Sequence, residues 1–294
     1  MFQYKTLENI RIEVLQEAFV EAFSDYQVKI DMPMWKFQGM LQRRGYAPSL
    51  SVGAFQGERL VGFVLNGFRD WNGKATVYDL GTGVISEYRK QGITSSTLTY
   101  LKTLLKEKGV EQYLLEVLQT NTSAFQLYKK QGFEVVREFA CFHMDKNSGR
   151  PSVAWEVESF DKMDEAEWEH CRSFWDHSPS WQNSAASVAA LGDAFWYSMV
   201  RIDGVVAGYG MIDKRTGDIA QIAVDRDYRR RGVASSIMAD LINHTEGTRI
   251  AVLNVDSRDA GMMHFLVNVG FTNTVDQYEM LLTLKQYDSS SELS

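Results

Sequence analysis

The fold of this chain is decided by one stretch, Gly83-Val84-Ile85-Ser86-Glu87-Tyr88-Arg89-Lys90-Gln91-Gly92-Ile93-Thr94-Ser95. An apolar segment typical of a β-strand leads into it, and a helix-forming segment follows from Ser95 to about Lys108. Where a strand and a glycine turn lead into a helix, several backbone N–H groups lack an acceptor and point towards one place. Those N–H groups and the helix dipole favour a phosphate group there. The stretch therefore predicts an anion site.

A second copy of this pattern lies at residues 224–235, around Arg229-Arg230-Arg231-Gly232-Val233-Ala234. The surrounding element order repeats as well. Residues 3–144 are predicted to form a strand, two helices, three strands, a helix, a strand, a helix and a strand, and residues 153–282 repeat that order. An ordered repeat of this length predicts an internal duplication, with two complete domains rather than a solenoid.

The domain boundaries follow from length and composition. A chain of 294 residues exceeds the usual size of one domain. We predict an N-terminal domain at 1–146, a linker of polar, glycine and proline residues at 147–152, and a C-terminal domain at 153–286. Residues 287–294 are predicted to be a disordered tail.

The charge is unevenly distributed between the halves. Residues 1–146 carry 18 Lys and Arg against 16 Asp and Glu, whereas residues 147–294 carry 13 against 22. The acidic second half argues against nucleic acid as a partner. Two cysteines provide no disulfide framework, and we find neither a signal core nor an apolar run long enough to cross a membrane. We therefore expect a cytoplasmic protein with no membrane partner, either a monomer or a homodimer.

The repeated loop resembles the R-x-x-G-x-[GA] pyrophosphate loop of the Gcn5-related N-acetyltransferases (GNAT), which holds coenzyme A. Arg89 and Gly92 match it, with Thr94 where the family favours Gly or Ala, and the second copy matches fully. The resemblance implies an α/β (α+β) fold of two consecutive GNAT domains, each a mixed twisted sheet flanked by helices. It implies acetyl-CoA as cosubstrate, held in the first domain by Thr82, Gly83, Val84, Arg89, Lys90, Gln91, Gly92, Ile93, Thr94, Ser95 and Asn121. The corresponding candidates in the second domain are Val224, Arg229, Arg231, Gly232, Val233, Ala234 and Ser235.

A later motif, Leu115-Glu116-Val117-x-x-x-Asn121…Leu127-Tyr128…Gly132-Phe133, is similar to that of acetyltransferases acting on ribosomal-protein N-termini. In those enzymes a glutamate twelve residues before a tyrosine is the general base, and the tyrosine is the general acid. The resemblance thus implies Glu116 as base and Tyr128 as acid. Burial in an apolar strand would also raise the pKa of Glu116 towards that of a useful base. Asp79 and Tyr78 on the preceding strand are competing candidates.

The second half differs at the catalytic positions. Counting back from Gly270-Phe271, Leu266 stands in the place of Tyr128, Asn254 in that of Glu116, and Asp259 in that of Asn121. Neither leucine nor asparagine can exchange a proton, so we expect this domain to be catalytically degenerate, with CoA binding left open. His264 lies nearby, and we interpret it as a helix-surface residue. The remaining histidines have no metal-ligand spacing, so no metal site is predicted.

These observations predict an N-acetyltransferase that moves an acetyl group directly from acetyl-CoA to a primary amine in a ternary complex. The alternative is a non-catalytic CoA-binding regulatory or structural protein. A small amine or a peptide or protein N-terminus is the expected acceptor, and Asp25 and Asp31 hint at a cationic one. A dinucleotide-binding protein is excluded, since no G-x-G-x-x-G follows the first strand.

Overall fold

A computed structural model describes residues 1–25, 31–148, 151–160 and 163–284. The predicted disordered tail, 287–294, lies outside the described residues. The chain forms two compact units. Unit 1 consists of residues 1–117 and 121–136 together with residues from Glu279 onward, and unit 2 consists of residues 118–120 and 137–278. None of the helices in the described ranges is long and apolar enough to cross a membrane.

Unit 1 is a sheet flanked by helices. Its strands are β1 (Gln3–Thr6), β2 (Val52–Gln56), β3 (Arg59–Trp71), β4 (Lys74–Val84) and β5 (Gln112–Leu118), and its helices are α1 (Ile12–Ala22), α2 (Met34–Arg44), α3 (Ile93–Glu107) and α4 (Thr122–Lys130). The first four strands pair antiparallel in chain order, and β5 joins β4 in parallel. The sheet is therefore mixed, as predicted.

The parallel pair of unit 1 opens soon after it begins. β4 and β5 pair from Thr76 with Gln112 to Tyr78 with Leu114. The register of β4 against β3 then shifts around Leu80, which marks a β-bulge. Beyond the bulge, residues 82–84 pair with β3 but have no partner on β5 among the described residues. This separation opens a cleft between the two strands, and the loop from the quoted stretch lies at the end of β4.

Unit 2 repeats these elements. They are β6 (Glu134–Asp145), β7 (Glu158–Phe160), α5 (Glu165–Arg172), α6 (Ala185–Leu191), β8 (Phe195–Ile202), β9 (Val205–Asp213), β10 (Ile219–Val224), α7 (Val233–Asn243), β11 (Arg249–Asp256), α8 (Ala260–Asn268) and β12 (Thr272–Thr283). Strands β10, β9, β8 and β7 form one antiparallel sheet in that order, and β11 pairs antiparallel with β6. Within the described residues, β11 is joined to the β10 side by a single parallel β-bridge, between Ala251 on β11 and Asp218 directly before β10. The second cleft lies between β10 and β11.

The strand predicted at 153–157 forms slightly later, at Glu158–Phe160. The reason is a competing side-chain acceptor. The N–H groups of Ala154 and Trp155 both donate to Ser236 Oγ on α7, at 3.0 and 3.1 Å. Those N–H groups are thus occupied before the chain reaches the sheet.

Each unit takes its final strand from the other half of the sequence. Residues 137–145 of β6 belong to unit 2, where they pair with β11, and β12 contributes its residues from Glu279 onward to unit 1. There Leu284 N–H donates to Glu111 O at 2.8 Å, and Met280 and Leu284 are buried. The predicted boundaries divide the chain in linear order, whereas the compact units exchange these two strands. A strand of the same pattern ends both halves, so either could pair with either sheet.

Candidate active site

The end of β4 presents a backbone donor to the first cleft. Ile85 N–H donates to Val61 O on β3 at 3.0 Å. Bonded and non-bonded positions alternate along an antiparallel pair, so Val84 directs its N–H away from β3, towards the open side. In unit 2, Asp225 N–H makes the equivalent bond to β9 at 2.9 Å, and Val224 occupies the place of Val84. Both clefts therefore hold a valine N–H suited to a carbonyl oxygen.

Gly83, directly before Val84 on β4, is a glycine for a packing reason. A Cβ there would meet the Phe63 ring at 2.6 Å. Glycine at this position lets the Phe63 ring approach the backbone of β4. Thr82, one residue earlier, uses its hydroxyl inside the protein, as described below. The contacts of Thr82 and Gly83 with acetyl-CoA stay predictions.

The two predicted phosphate loops have the same conformation. Lys90 and Gly92 adopt positive φ angles of 61° and 77°, and Arg230 and Gly232 adopt 63° and 82°. Each glycine precedes the first residue of a helix, α3 or α7. Among the described residues, the N–H groups of 90–95 and of 230–235 have no acceptor. Six unpaired donors at a helix N-terminus are an arrangement that favours an anion, and binding of a phosphate there stays a prediction.

The first arginine of each loop binds its own chain. Arg89 forms a bidentate pair with Asp25, at 2.6 and 2.7 Å, and Arg229 pairs with Asp176 at 2.6 Å. Each Nε donates to the carbonyl of the cleft valine at 3.0 Å. A contact of Arg89 or Arg229 with a phosphate stays a prediction. In this structure the Arg89 guanidinium holds its loop against the end of α1, where it donates to Ala22 O, and the Arg229 guanidinium holds its loop against the segment after α5, where it donates to Phe174 O. Asp25, interpreted from sequence as a hint of a cationic acceptor, is the partner of Arg89.

The third arginine of the second loop also points elsewhere. Its guanidinium lies over the Tyr228 ring, 5.5 Å from the ring centre, and Arg231 O accepts a hydrogen bond from Trp155 Nε1 at 2.7 Å. Arg230, by contrast, lines the cavity of unit 2. The candidates chosen from the sequence were Arg229 and Arg231, whereas Arg229 and Arg230 line the cavity.

Tyr128 is buried in unit 1, with Asp79 beside it. The Tyr128 hydroxyl lies 3.5 Å from Asp79 Oδ2, which also accepts a hydrogen bond from Thr82 Oγ1 at 2.6 Å. Asp79 Oδ1 accepts from Gly81 N–H at 2.8 Å. Burial raises the pKa of the Asp79 carboxyl to about 6, although the bonds from Thr82, Gly81 and Tyr128 oppose the rise. The structure thus brings the predicted acid into contact with one of the competing candidates.

Glu116 is half-buried on β5, beside Tyr78. Complete burial, together with the charge and hydrogen bond of Glu116, raises the pKa of the Tyr78 hydroxyl well above its usual value. β12 lies next to β5 in the sheet, and the two strands run antiparallel, because Leu284 N–H donates to Glu111 O while Gln119 N–H donates to Asp276 O. Five residues forward along β5 from Glu111 and five residues back along β12 from Leu284, Glu279 lies opposite Glu116. Glu279 is not among the residues predicted from the sequence. The count that places Asn254 at the position of Glu116 also places Glu279 at the position of Cys141. No local sequence feature, however, indicates that β12 rather than β6 pairs with β5.

Asn121 and Asp259 have the same structural role. Asn121 Oδ1 accepts from Ala124 N–H at 3.2 Å and begins α4, while Asp259 Oδ1 accepts from Met262 N–H at 2.9 Å and begins α8. Both are helix N-caps, for which Asn and Asp are preferred. The predicted contact of Asn121 with CoA stays a prediction, and the substitution by Asp259 preserves the cap.

The second cleft is a cavity of about 1440 Å³ within unit 2. Its walls include the loop and the splayed strands, with most of the predicted second-domain residues among them: Val224, Arg229, Gly232, Val233, Ala234 and Ser235. Asn254 also lines the cavity; its Nδ2 donates to Ser180 Oγ at 3.1 Å, and its Oδ1 accepts from Gln277 Nε2 at 2.9 Å. A neutral amide thus stands where unit 1 has Glu116. In the described ranges no group of three His, Cys, Asp or Glu side chains could hold a metal ion.

Comparison with known proteins agrees with this architecture. The sequence matches the profile of the acetyltransferase (GNAT) family at residues 12–133 and again at 160–271. The GCN5-related N-acetyltransferase from Sphaerobacter thermophilus is similar in structure, with a TM-score of 0.74 and 12% identity over 97% of this chain and 96% of that chain. A tandem GNAT protein from the clavulanic acid biosynthesis pathway has a TM-score of 0.72 and 14% identity over 98% and 100%.

The predicted likeness to ribosomal-protein acetyltransferases is confirmed only in part. The ribosomal-protein-S18-alanine N-acetyltransferase from Escherichia coli matches 47% of this chain and 81% of its own at 20% identity, with a TM-score of 0.39. That similarity carries no argument about the acceptor. The predicted fold class, by contrast, is confirmed. With two profile matches that together span most of its length, the chain belongs to the acetyltransferase (GNAT) family and contains two GNAT domains.

Proposed function

We propose that unit 1 transfers an acetyl group from acetyl-CoA directly to a primary amine, with both substrates bound together. One observation carries the proposal. Unit 1 combines the six free loop N–H groups with ionisable side chains on the strands and helix around its cleft, whereas unit 2 has the same loop with apolar or amide side chains at the matching positions.

Each part of the cleft has a chemical task. The N–H groups of 90–95 would bind the pyrophosphate, and Val84 N–H would donate to the acetyl oxygen, where negative charge develops during transfer. Glu116 would remove a proton from the attacking amine, and Tyr128 would donate one to the departing sulfur. Holding both substrates in one cleft removes the entropy cost of their encounter, so no acyl-enzyme is required.

For unit 2 we propose CoA binding without chemistry. Its loop has the same free N–H groups, and its cavity can accommodate a large ligand. Leucine at 266 cannot protonate a sulfur, and Asn254 is a neutral amide that cannot act as a base and is hydrogen-bonded to Ser180 and Gln277. The alternative for the whole chain is a CoA-binding regulatory or structural protein. Release of free thiol from acetyl-CoA in the presence of a panel of amines discriminates between the two.

A matched pair of loop variants tests both proposals. Thr94→Glu and Ala234→Glu each place a carboxylate in the first turn of a helix, where it is compatible with folding but repels a pyrophosphate. We expect calorimetry to find two CoA molecules per wild-type chain and one per variant, with affinity at the altered loop lowered at least about tenfold, which is about 1.4 kcal/mol. Only Thr94→Glu should abolish acetyl transfer.

Three outcomes would contradict this assignment. Loss of turnover in Ala234→Glu with full activity in Thr94→Glu would move the chemistry to unit 2. A wild-type stoichiometry of one would remove CoA from one loop. Thiol release by neither the wild type nor any variant would favour the regulatory alternative.

The acceptor is proposed only as a class. A small amine or a peptide or protein N-terminus fits the family's chemistry. Asp31 is exposed, and Asp25 binds Arg89, so the sequence hint of a cationic acceptor now depends on Asp31 and the strand carboxylates. One panel of small amines and one panel of peptides with a free N-terminus are each tested as acceptors. The panel that supports thiol release from acetyl-CoA identifies the acceptor type. The monomer or homodimer and the cytoplasmic location stay predictions.

A further inference from the structure

Three side chains of unit 1 form one buried polar group: Asp79 on β4, Thr82 further along β4, and Tyr128 on α4. Asp79 Oδ2 accepts from Thr82 Oγ1 at 2.6 Å and lies 3.5 Å from the Tyr128 hydroxyl. Asp79 and Tyr128 are 9% and 6% exposed, so little water reaches the carboxylate or the phenol. Hydrogen bonds from Thr82 and from the N–H of Gly81 fix the orientation of the carboxylate.

Unit 2 has apolar side chains at all three matching positions. The bulges at Leu80 in β4 and at Ala220 in β10 align the two strands, so Ile219 and Ile222 stand in the places of Asp79 and Thr82. Leu266 stands in the place of Tyr128. All three apolar residues belong to one hydrophobic cluster. Replacement as a set indicates that Asp79 and Thr82 belong to the function of Tyr128 rather than to the stability that every such sheet requires.

Electrostatics determines which form of Asp79 is compatible with a proton-donating tyrosine. If Tyr128 gave up its proton beside an ionised Asp79, two negative charges would face each other about 3.5 Å apart in a buried site. Neighbouring like charges in a low-dielectric environment are strongly unfavourable, and one of such a pair keeps its proton. Tyr128 can therefore act as an acid only when Asp79 is protonated.

We propose that protonated Asp79 passes its proton to Tyr128 Oη as Tyr128 passes its own to the departing sulfur. This inference rests on the proposed function of unit 1. The carbon–sulfur bond breaks with its electron pair going to sulfur, which takes the tyrosine proton. The tyrosine O–H bond is remade with the proton of Asp79, which becomes a carboxylate and regains a proton from solvent as product leaves. Tyr128 stays neutral throughout, and Asp79 acts through it as a positioning residue.

The charge environment of Asp79 agrees with this role. Burial raises its pKa to about 6; the hydrogen bonds from Thr82, Gly81 and Tyr128, and the charge of Arg44, lower it. The charge of Asp79 also acts on the buried hydroxyls of Tyr78 and Tyr113. Burial, and to a smaller extent this charge, raises the pKa of both hydroxyls well above the usual value.

The sign of the pH dependence follows. The active form carries the proton, so kcat should fall as pH rises through the pKa of Asp79 in the complex. We expect this falling limb in the wild type, with a midpoint at about pH 6. Thr82→Val removes a hydrogen bond that lowers the pKa, so its midpoint should move to higher pH. Asp79→Asn keeps the size and an acceptor oxygen but has no acid proton, so kcat should fall about 100-fold and lose the limb.

The measurement is kcat for thiol release by the full chain at saturating acetyl-CoA and amine between pH 5 and 9, with CoA affinity and thermal unfolding recorded for each variant. A wild-type kcat with no falling limb between pH 5 and 9, an Asp79→Asn variant with wild-type kcat, or a Thr82→Val limb at an unchanged midpoint would overturn the inference. The Thr82→Val shift decides even if Asp79→Asn fails to fold. A wild type that transfers acetyl to no amine overturns the proposed function itself, whereas an active wild type with any of those three results overturns only the role of Asp79.

Discussion

Replacing Tyr128 by phenylalanine is expected to lower acetyl transfer by about 100- to 1000-fold while CoA binding is unchanged. The substitution removes one oxygen atom from a buried ring that packs edge-on against Phe133, with ring centres 5.6 Å apart. The packing of α4 is therefore kept, and the proton for the departing sulfur is lost. The readout is kcat for thiol release at saturating acetyl-CoA and amine, together with the dissociation constant for CoA.

A suitable control for Tyr128→Phe is Tyr100→Phe, because Tyr100 is an exposed tyrosine on α3. It should retain wild-type kcat, since its hydroxyl has no place in the cleft. If Tyr128→Phe also retained wild-type kcat, Tyr128 would not be the acid. A fall in CoA affinity with kcat unchanged would instead make Tyr128 a binding residue.

Ending the chain after Tyr278 is expected to abolish the folding of unit 1, although every residue up to Val136 is still present. Unit 1 would lose residues 279–284, which include the buried side chains of Met280 and Leu284. Burying each such side chain contributes roughly 1.5–3 kcal/mol. Two of them, with the strand hydrogen bonds, approach the net stability of a domain, about 5–15 kcal/mol. We expect aggregation or loss of the unit 1 transition in calorimetry, and no acetyl transfer.

The matched control is a chain ending at residue 286, which keeps every described residue. It should unfold at the wild-type temperature and transfer acetyl at the wild-type rate. If the chain ending at 278 folded and turned over normally, the exchanged strand would contribute nothing essential to unit 1.

The local features of the site could be predicted from sequence. A glycine turn between a strand and a helix leaves the same free N–H groups wherever it occurs, so both loops were found from about a dozen residues each. The spacing of Glu116 and Tyr128 likewise depends on one strand and the next helix. Local geometry determines these features, and the sequence determines local geometry.

Features that depend on distant partners were not predicted. Arg89 resembles a phosphate ligand in sequence, but Asp25, 64 residues away, holds it. Asp79 was one of several candidates, and only the fold shows that its carboxylate faces Tyr128, 49 residues on. Glu279 could not be chosen at all. The strand pattern of β12 fits either sheet, and its pairing is set by packing across the chain.

The exchanged strand also imposes an order on synthesis. A ribosome releases residues 1–136 long before residues 279–284, and domains ordinarily fold as they emerge, the N-terminal one first. Residues 279–284 of unit 1 are synthesised after nearly all of unit 2. Until then the edge of β5 lacks its strand partner and is exposed to pairing with other chains. Unit 1 is therefore complete only once the second half has been translated, and each half of the duplication supplies a strand to the unit formed mainly by the other.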